Sequence, residues 1–216
     1  MEPCARPMRS ATLTSATASN FATGNPLKTP TQLTISNGNL TVAASGSAID
    51  GNLFSTIGVT SGKWYFEATV TTNTNGNAVI GVGNKNASAN NLLGYDSNGW
   101  GILPDSGVMY LSNGGSYNGV TVSSMTRTGT FGIAFDADAG KLWISDATGS
   151  FSAVSSGNPV TGANPAFSNL VATNYLFGSI GHDSVGSQTT QTSANYGQQP
   201  FAYTPPTGYV ALNTRA

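Results

Sequence analysis

The chain has 216 residues, a formal net charge of -1 and only 8% charged residues, whereas ordinary globular domains carry about 25%. The eight Lys and Arg residues are scattered singly, which argues against a nucleic-acid-binding surface. No apolar run approaches the roughly 18 residues that a membrane span needs. Gly, Ser, Thr and Asn make up nearly half of the chain, but 9% aromatic residues in alternating patterns can build a core, so we expect a folded domain.

The first 30 residues are rich in proline and lack periodicity. We therefore predict an extended arm over residues 1–30, ordered only when something binds it. The single cysteine, Cys4, lies in this arm and excludes an internal disulfide or a Cys-rich metal site. From residue 31 the pattern changes, and Asn37-Gly38 between two apolar stretches predicts a hairpin, because a type I′ turn needs positive φ at both central residues. The domain is thus predicted to cover residues 31–216.

Alternating side chains predict strands through the middle of the chain. In Ser61–Val70, Trp64 and Phe66 share one face with Ala68 and Val70, opposite Tyr65 and Glu67. Further strands are predicted at residues 78–83, 95–103, 108–111 and 176–180 and in the C-terminal part that begins at residue 194. Turn signals recur every 8 to 12 residues, and no long amphipathic helix is present.

The clearest pattern is the hairpin at residues 129–145. Phe131, Ile133 and Phe135 line one face of its first strand, and Gly132 and Ala134 line the other. The segment 136–140 provides turn residues, and 141–145 begins the second strand. A sheet with one bulky face needs a second sheet to cover it, so the chain is predicted to be an all-β, two-sheet antiparallel β-sandwich.

The sequence offers no convincing catalytic or metal-binding set. His182 has Asp183 as its direct neighbour, so on a strand the two side chains would face opposite ways and could not form a triad; a turn or edge histidine is the simpler interpretation. Glu67 stands alone and is interpreted as a structural hydrogen-bonding residue, since sugar hydrolysis needs two carboxylates. Asp136–Gly140 resembles the start of a calcium loop but lacks its later ligands. We predict no enzyme, no cofactor and no metal.

Aromatic residues beside Asn, Ser and Gly suit sugar or peptide recognition, because rings stack while amides and hydroxyls form hydrogen bonds. The candidate contact residues are Tyr95, Asn98, Trp100, Tyr110 and Tyr117. The apolar neighbours of Trp100 and Tyr110 favour core positions for these two residues. Tyr117, between Ser116 and Asn118, is the better candidate for exposure.

Five short motifs occur in the order in which they occur in SPRY domains, which the chain resembles over roughly residues 31–213. They are Gly62-Lys-Trp-Tyr-Phe-Glu67, Ile80-Gly-Val-Gly83, Gly94-Tyr-Asp-Ser-Asn-Gly-Trp-Gly101, Gly132-Ile-Ala-Phe-Asp136 and Gly140-Lys-Leu-Trp-Ile-Ser145. The ending Asn195–Gly208 with Ala211-Leu-Asn213 is similar to the tail of SPRY-type domains in bacteriophage structural proteins.

This resemblance implies a bent, concanavalin-like sandwich that is not an enzyme and binds partners through loops at one end. For the phage type it implies a virion protein, made in the host cytoplasm and carried on a tail fibre, neck or capsid decoration. One hypothesis is a structural protein attached to other virion proteins through residues 1–30, as a homo-oligomer because cyclic assemblies are the default. The alternative is a module that binds a host-surface glycan or peptide. Neither involves membrane insertion.

Overall fold

The computed structural model describes residues 20–47, 50–183 and 187–214. Its strands are β1 (Thr34–Ser36), β2 (Thr41–Ser47), β3 (Gly51–Phe54), β4 (Lys63–Asn73), β5 (Ala78–Asn84), β6 (Gly99–Asp105), β7 (Val108–Asn113), β8 (Ser116–Thr121), β9 (Gly129–Asp136), β10 (Lys141–Ile144), β11 (Leu176–His182), β12 (Ser187–Asn195) and β13 (Val210–Ala211). Short 3₁₀ helices occur at Pro26–Lys28, Thr74–Gly76 and Ala172–Asn174. No helix within these described ranges has the length and apolarity to cross a bilayer.

The strands form two sheets that pack face to face. The larger has the order β1-β2-β12-β4-β9-β10, and β13 adds to β4; the smaller has the order β3-β11-β5-β6-β7-β8. All neighbouring strands are antiparallel except β13, whose two residues run parallel to the start of β4. The predicted all-β, two-sheet antiparallel sandwich is confirmed.

The core between the sheets comes from the faces that the alternation predicts. Phe66 of β4 lies opposite Ile133 of β9 in the register, and both side chains are fully buried. Ile80, Ile102 and Ile180 of the smaller sheet belong to the same cluster and are also fully buried. Burying a side chain of this size contributes roughly 1.5–3 kcal/mol, so this layer supplies most of the apolar stabilisation.

Each sheet also has an apolar cluster on its outer face. On the larger sheet Tyr65, Ala134 and Trp143 are covered by Tyr209 and Phe201 from the C-terminal segment. On the smaller sheet the cluster includes Phe54, Val79 and Leu103 under the loop that contains Ala87 and Leu93. The outer face of each sheet is therefore partly covered by a loop or by the C-terminal segment.

Glu67 holds the C-terminal segment onto the larger sheet, and its predicted structural role is confirmed. Its side chain is 2% exposed. One oxygen accepts hydrogen bonds from the Tyr65 hydroxyl at 3.0 Å and the Tyr203 N–H at 2.8 Å, and the other accepts the Ala202 N–H at 2.8 Å. Gly132 lies opposite Glu67, and a Cβ there would come within 2.6 Å of the Tyr65 hydroxyl, so only glycine leaves room for this contact.

The predicted turns are present. Asn37 and Gly38 both have positive φ in the β1–β2 connection, which has four residues because Ser36 pairs with Thr41. The 136–140 segment is the β9–β10 turn, where the Asp136 carboxylate accepts the Ala139 N–H at 2.8 Å. The sequence analysis did not predict β3, β8 or the part of β12 that precedes residue 194. β8 and this part of β12 consist mainly of polar residues, and β3 is a four-residue stretch that is buried throughout and lacks period-two alternation.

The prediction that residues 20–30 belong to a free arm is wrong. Ala22 is fully buried, and its N–H donates to the Leu212 carbonyl at 3.0 Å. The Asn25 N–H donates to the Phe54 carbonyl at 2.7 Å, so the segment joins β3. Asn20 and Thr214 are themselves hydrogen-bonded, the Thr214 N–H donating to the Asn20 carbonyl at 3.0 Å. The rest of the predicted arm, with Cys4, lies outside the described residues.

His182 is a core histidine, which corrects its assignment to a turn or edge. It ends β11, which has paired neighbours on both sides, and it is 2% exposed. Its Nδ1 lies 3.0 Å from the Thr190 Oγ1 of the opposite sheet. Burial lowers the pKa of His182 because it penalises the imidazolium, and Asp50 partly opposes this effect.

Replacing Glu67 tests the role of the carboxylate. We expect Glu67→Gln to lower the free energy of unfolding by about 1–3 kcal/mol, because an amide NH₂ then faces a backbone N–H and one buried donor is left unsatisfied. Urea unfolding measures this change. The matched control is Asp138→Asn, whose exposed carboxylate accepts only the Gly62 N–H, and it should differ from wild type by less than 1 kcal/mol. Equal effects of both variants would contradict the assigned role.

The lowered pKa of His182 predicts a pH dependence of stability. The unfolded histidine takes up a proton near pH 6.5 and the folded one only at lower pH, so stability is complete above about pH 6.5 and falls as the pH drops below it. The limiting slope is about 1.4 kcal/mol per pH unit. His182→Asn should flatten the curve between pH 7 and 5.5, since the chain has one histidine. Urea unfolding across this range measures both slopes, and an unchanged slope would argue against the prediction.

Candidate binding surface

Tyr110 and Tyr117 form a stacked pair on the outer face of the β7–β8 hairpin. Their ring centroids are 4.9 Å apart and their planes differ by 12°. The register explains the pair: Tyr110 lies opposite Gly119, and Tyr117 lies opposite Ser112, so the two rings are diagonal neighbours on one face. A Cβ at Gly119 would contact the Tyr110 ring at 3.2 Å, so glycine lets this ring lie flat across β8.

Tyr95 lies on a loop that is attached to the same hairpin. Gly115, in the β7–β8 turn, donates its N–H to the Gly94 carbonyl at 3.2 Å, and Gly114 donates to the Asp96 carbonyl at 3.0 Å. Tyr95 is 65% exposed and Tyr117 is 48% exposed. Tyr110 is half-buried on this outer face, which corrects the core position that its apolar neighbours favoured. The stacked pair on the hairpin and Tyr95 on the attached loop are three of the predicted residues, and we refer to these three as the tyrosine face.

Trp100 and Asn98 do not belong to this face. Trp100 is fully buried, and its indole N–H donates to the Asn169 side chain at 2.9 Å, so the proposal that its ring contacts a ligand is corrected. Asn98 is half-buried, and its Oδ1 accepts a hydrogen bond from the side-chain amide of Asn84 at 3.1 Å. The apolar residues around Trp100 had already favoured the core. The role of Asn98 depends on a partner 14 residues away, which no local pattern indicates.

The environment of Tyr117 keeps its hydroxyl protonated. Partial burial raises the pKa of this phenol, and the carboxylates of Asp183 and Asp105 and the neighbouring Tyr110 raise it further. A protonated phenol remains a hydrogen-bond donor as well as an acceptor. The tyrosine face therefore offers a partner ring surface together with a neutral polar group.

A second depression, the polar groove, lies on the outer face of the larger sheet. It encloses about 240 Å³ between the β1–β2 turn and the segment 198–202. Its floor includes Thr69 and Ser193, which lie opposite each other in adjacent strands, and its walls include Asn195 and Gln198. Glu67 is at the base, but its oxygens already accept the hydrogen bonds described above. Ser193 is hydrogen-bonded to Thr41 and Thr69 to Thr130, and the amides of Asn195 and Gln198 bond to nearby backbone groups, so these polar side chains are held in place within the protein. No sequence motif had indicated the groove.

The described residues hold no cluster of three or more His, Cys, Asp or Glu side chains that could bind a metal ion. His182 is sealed between the sheets, and the carboxylate of Glu67 is directed at backbone N–H groups rather than at an open site.

Comparison with known proteins agrees with the fold. A model of the SPRY domain family matches residues 63–180. The chain is similar to the SPRY domain of human HERC1, with a TM-score of 0.60 and 19% identity over 82% of this chain and 99% of that chain. It is also similar to the TRIM65 PSpry domain, with a TM-score of 0.57 and 11% identity over 82% and 92% of the two chains.

A further similar structure is stonustoxin, with a TM-score of 0.56 and 17% identity over 82% of this chain and 27% of that chain. No curated protein sequence matches the chain significantly. At these identities the structural neighbours establish the fold alone, while the family match covers more than half of the 216 residues. This chain belongs to the SPRY domain family.

Proposed function

We propose that this chain is the interaction module of a bacteriophage virion structural protein, carried on an exposed appendage such as a tail fibre, neck or capsid decoration. Domains of the SPRY family often mediate protein–protein interaction, which supports a binding role. The phage assignment is supported by the resemblance of the C-terminal run 195–213 to tails of phage SPRY-type domains. In this chain that run includes the segment that Glu67 anchors, so it is an integral layer of the fold.

The observation that carries the binding role is the tyrosine face. Tyrosine is enriched at binding hot spots because a large, rigid ring contributes contact area at low entropic cost and its hydroxyl adds a directional bond. Here two rings are already stacked before any partner binds, so little ordering remains to be done on association. We place the principal contact with a protein partner on Tyr95, Tyr110 and Tyr117.

The alternative function is recognition of a host-surface glycan, and the polar groove favours it. Thr69, Ser193 and Gln198 each keep hydrogen-bonding capacity beyond their bonds within the protein, and this capacity matches the hydroxyl groups of a neutral sugar. The two functions are compatible, because an exposed appendage can bind its own particle through one surface and a host through another.

Attachment to other virion proteins is assigned to residues 1–19, because residues 20–30 belong to the sandwich. A homo-oligomer belongs to the same proposal. The edge strand β8 is six residues long and mostly exposed, so it offers backbone groups that a second copy could pair with.

Two truncations test the attachment. Deleting residues 1–19 should leave a folded domain that no longer joins purified particles, as followed by mass spectrometry of the particles and light scattering of the isolated protein. Deleting residues 1–30 should also lower the melting temperature by about 10 °C, because several backbone hydrogen bonds, each contributing about 1 kcal/mol, are lost with buried Ala22. Normal incorporation of the first truncation, or absence of the full chain from particles, would refute the attachment.

Substitution of Tyr117 tests the tyrosine face. Tyr117→Ala should weaken partner binding at least tenfold without a change in melting temperature beyond a few degrees, because it removes half of the stacked pair from an exposed position. Binding is measured by calorimetry with the particle protein that crosslinks to the full chain, and on a glycan array for the alternative. Tyr175→Ala is the control, since Tyr175 is 50% exposed elsewhere. Equal binding by both variants would exclude the face.

A further inference from the structure

Positive charge is scarce in this protein, and ion pairs neutralise two of the cationic side chains that the structure describes. The described residues contain five cationic side chains: Lys28, Lys63, Lys85, Arg127 and Lys141. Lys63 lies 3.6 Å from the Asp136 carboxylate, and Arg127 is paired with Asp105. Lys141 donates to the Gly162 carbonyl at 2.9 Å. Within the described ranges, Lys28, Lys85 and Lys141 form no ion pair, and of these three only Lys28 and Lys85 lie close together.

These two lysines line one cavity. Lys28 follows the N-terminal segment that joins β3, and Lys85 follows β5, so the fold brings together residues 57 positions apart. The Lys28 Nζ donates to the Lys85 carbonyl at 3.1 Å and lies 4.6 Å from the centroid of the Phe54 ring. Its ammonium group is therefore held in place at the cavity wall instead of moving freely in water.

The cavity has an apolar floor and a polar rim. It encloses about 180 Å³, and its lining includes Phe54, Phe177, Asn25 and Ser55 in addition to the lysines. The floor is firm, because a Cβ at Gly83 would come within 2.5 Å of the Phe54 ring. Pockets for drug-sized ligands are about 300–1,000 Å³, so this one accommodates a smaller group, on the scale of a single side chain.

We infer that this cavity, which we call the lysine pocket, binds an acidic side chain of a partner peptide. The fixed Lys28 ammonium and the partly exposed Phe177 ring select a group that combines a methylene stem with a carboxylate, as in Glu or Asp, and Lys85 adds a second positive charge to the lining. Leu27 lies beside the pocket and is 96% exposed, so it provides an apolar contact for the residue next to the acidic one. The ligand is thus a peptide segment in which an acidic residue adjoins an apolar residue.

The same features disfavour an acidic sugar. Sugars bind best to an exposed ring face, whereas Phe54 is 1% exposed and has the Lys28 ammonium over its ring. The most exposed apolar side chain beside the pocket, Leu27, is aliphatic. Partial burial also lowers the pKa of Lys28, because it removes water from the ammonium group, and a bound carboxylate would compensate for that loss.

The lysine pocket and the tyrosine face share no residue, because the tyrosine face lies on the β7–β8 hairpin and its attached loop. Random twelve-residue peptides displayed on a library are selected against the full chain and, in parallel, against the Lys28→Gln/Lys85→Gln double variant. We expect only the wild type to enrich peptides with an acidic residue beside an apolar one. In calorimetry the selected peptide should bind the double variant at least tenfold more weakly, and a Glu→Gln or Asp→Asn copy of the peptide should lose as much.

Two controls keep the result specific. Lys141→Gln removes a lysine outside the pocket and should bind like wild type. Lys85→Gln removes one charge from the pocket but keeps the backbone carbonyl that accepts the Lys28 hydrogen bond, and it should weaken binding several-fold. Equal enrichment of acidic peptides by wild type and double variant, or no enrichment by either, overturns the inference. Binding of an oligogalacturonate that depends on both lysines, in the absence of peptide binding, also overturns it by reassigning the pocket to acidic glycans.

Discussion

The buried carboxylate of Glu67 is the interaction on which the outer layer of the larger sheet depends. Its oxygens receive backbone N–H groups from residues 135 and 136 positions away, so a single side chain attaches the C-terminal segment to β4. That segment brings Phe201 and Tyr209 over Tyr65 and Trp143. Because a buried carboxylate without partners would be strongly unfavourable, the segment and the acid require each other.

The rest of the molecule is stabilised with little help from charge. The two ion pairs found among the described residues, Lys63–Asp136 and Arg127–Asp105, both have a lysine or arginine that is about 40% exposed, and pairs of this kind contribute little. Apolar burial between the sheets, strand pairing and amide side chains that bridge loops provide the stability instead. With so few charged side chains, each lysine or carboxylate without an ion-pair partner is a distinct electrostatic feature for a binding partner.

The sequence was sufficient where a strand has one apolar face. Period-two alternation identified β4, β9 and β10 together with their inward residues, and it identified Glu67 as structural. It failed for β12, where Thr190 and Thr192 are buried and central to the sheet, because a buried threonine has no local signature. β8 was missed because it is an exposed edge, and residues 20–30 were misassigned because their pairing partners are distant in the chain. Both lysines of the pocket are unremarkable in sequence, since only the fold brings them together.

The hydrogen bonds between Asn20 and Thr214 determine where this domain connects to other polypeptide segments. The described chain enters and leaves the sandwich at the same point, so both connections leave from one spot on its perimeter. Connections made there leave the two sheets and their loops undisturbed. The same fold is therefore compatible with a place at the end of a longer polypeptide or with insertion between two of its segments.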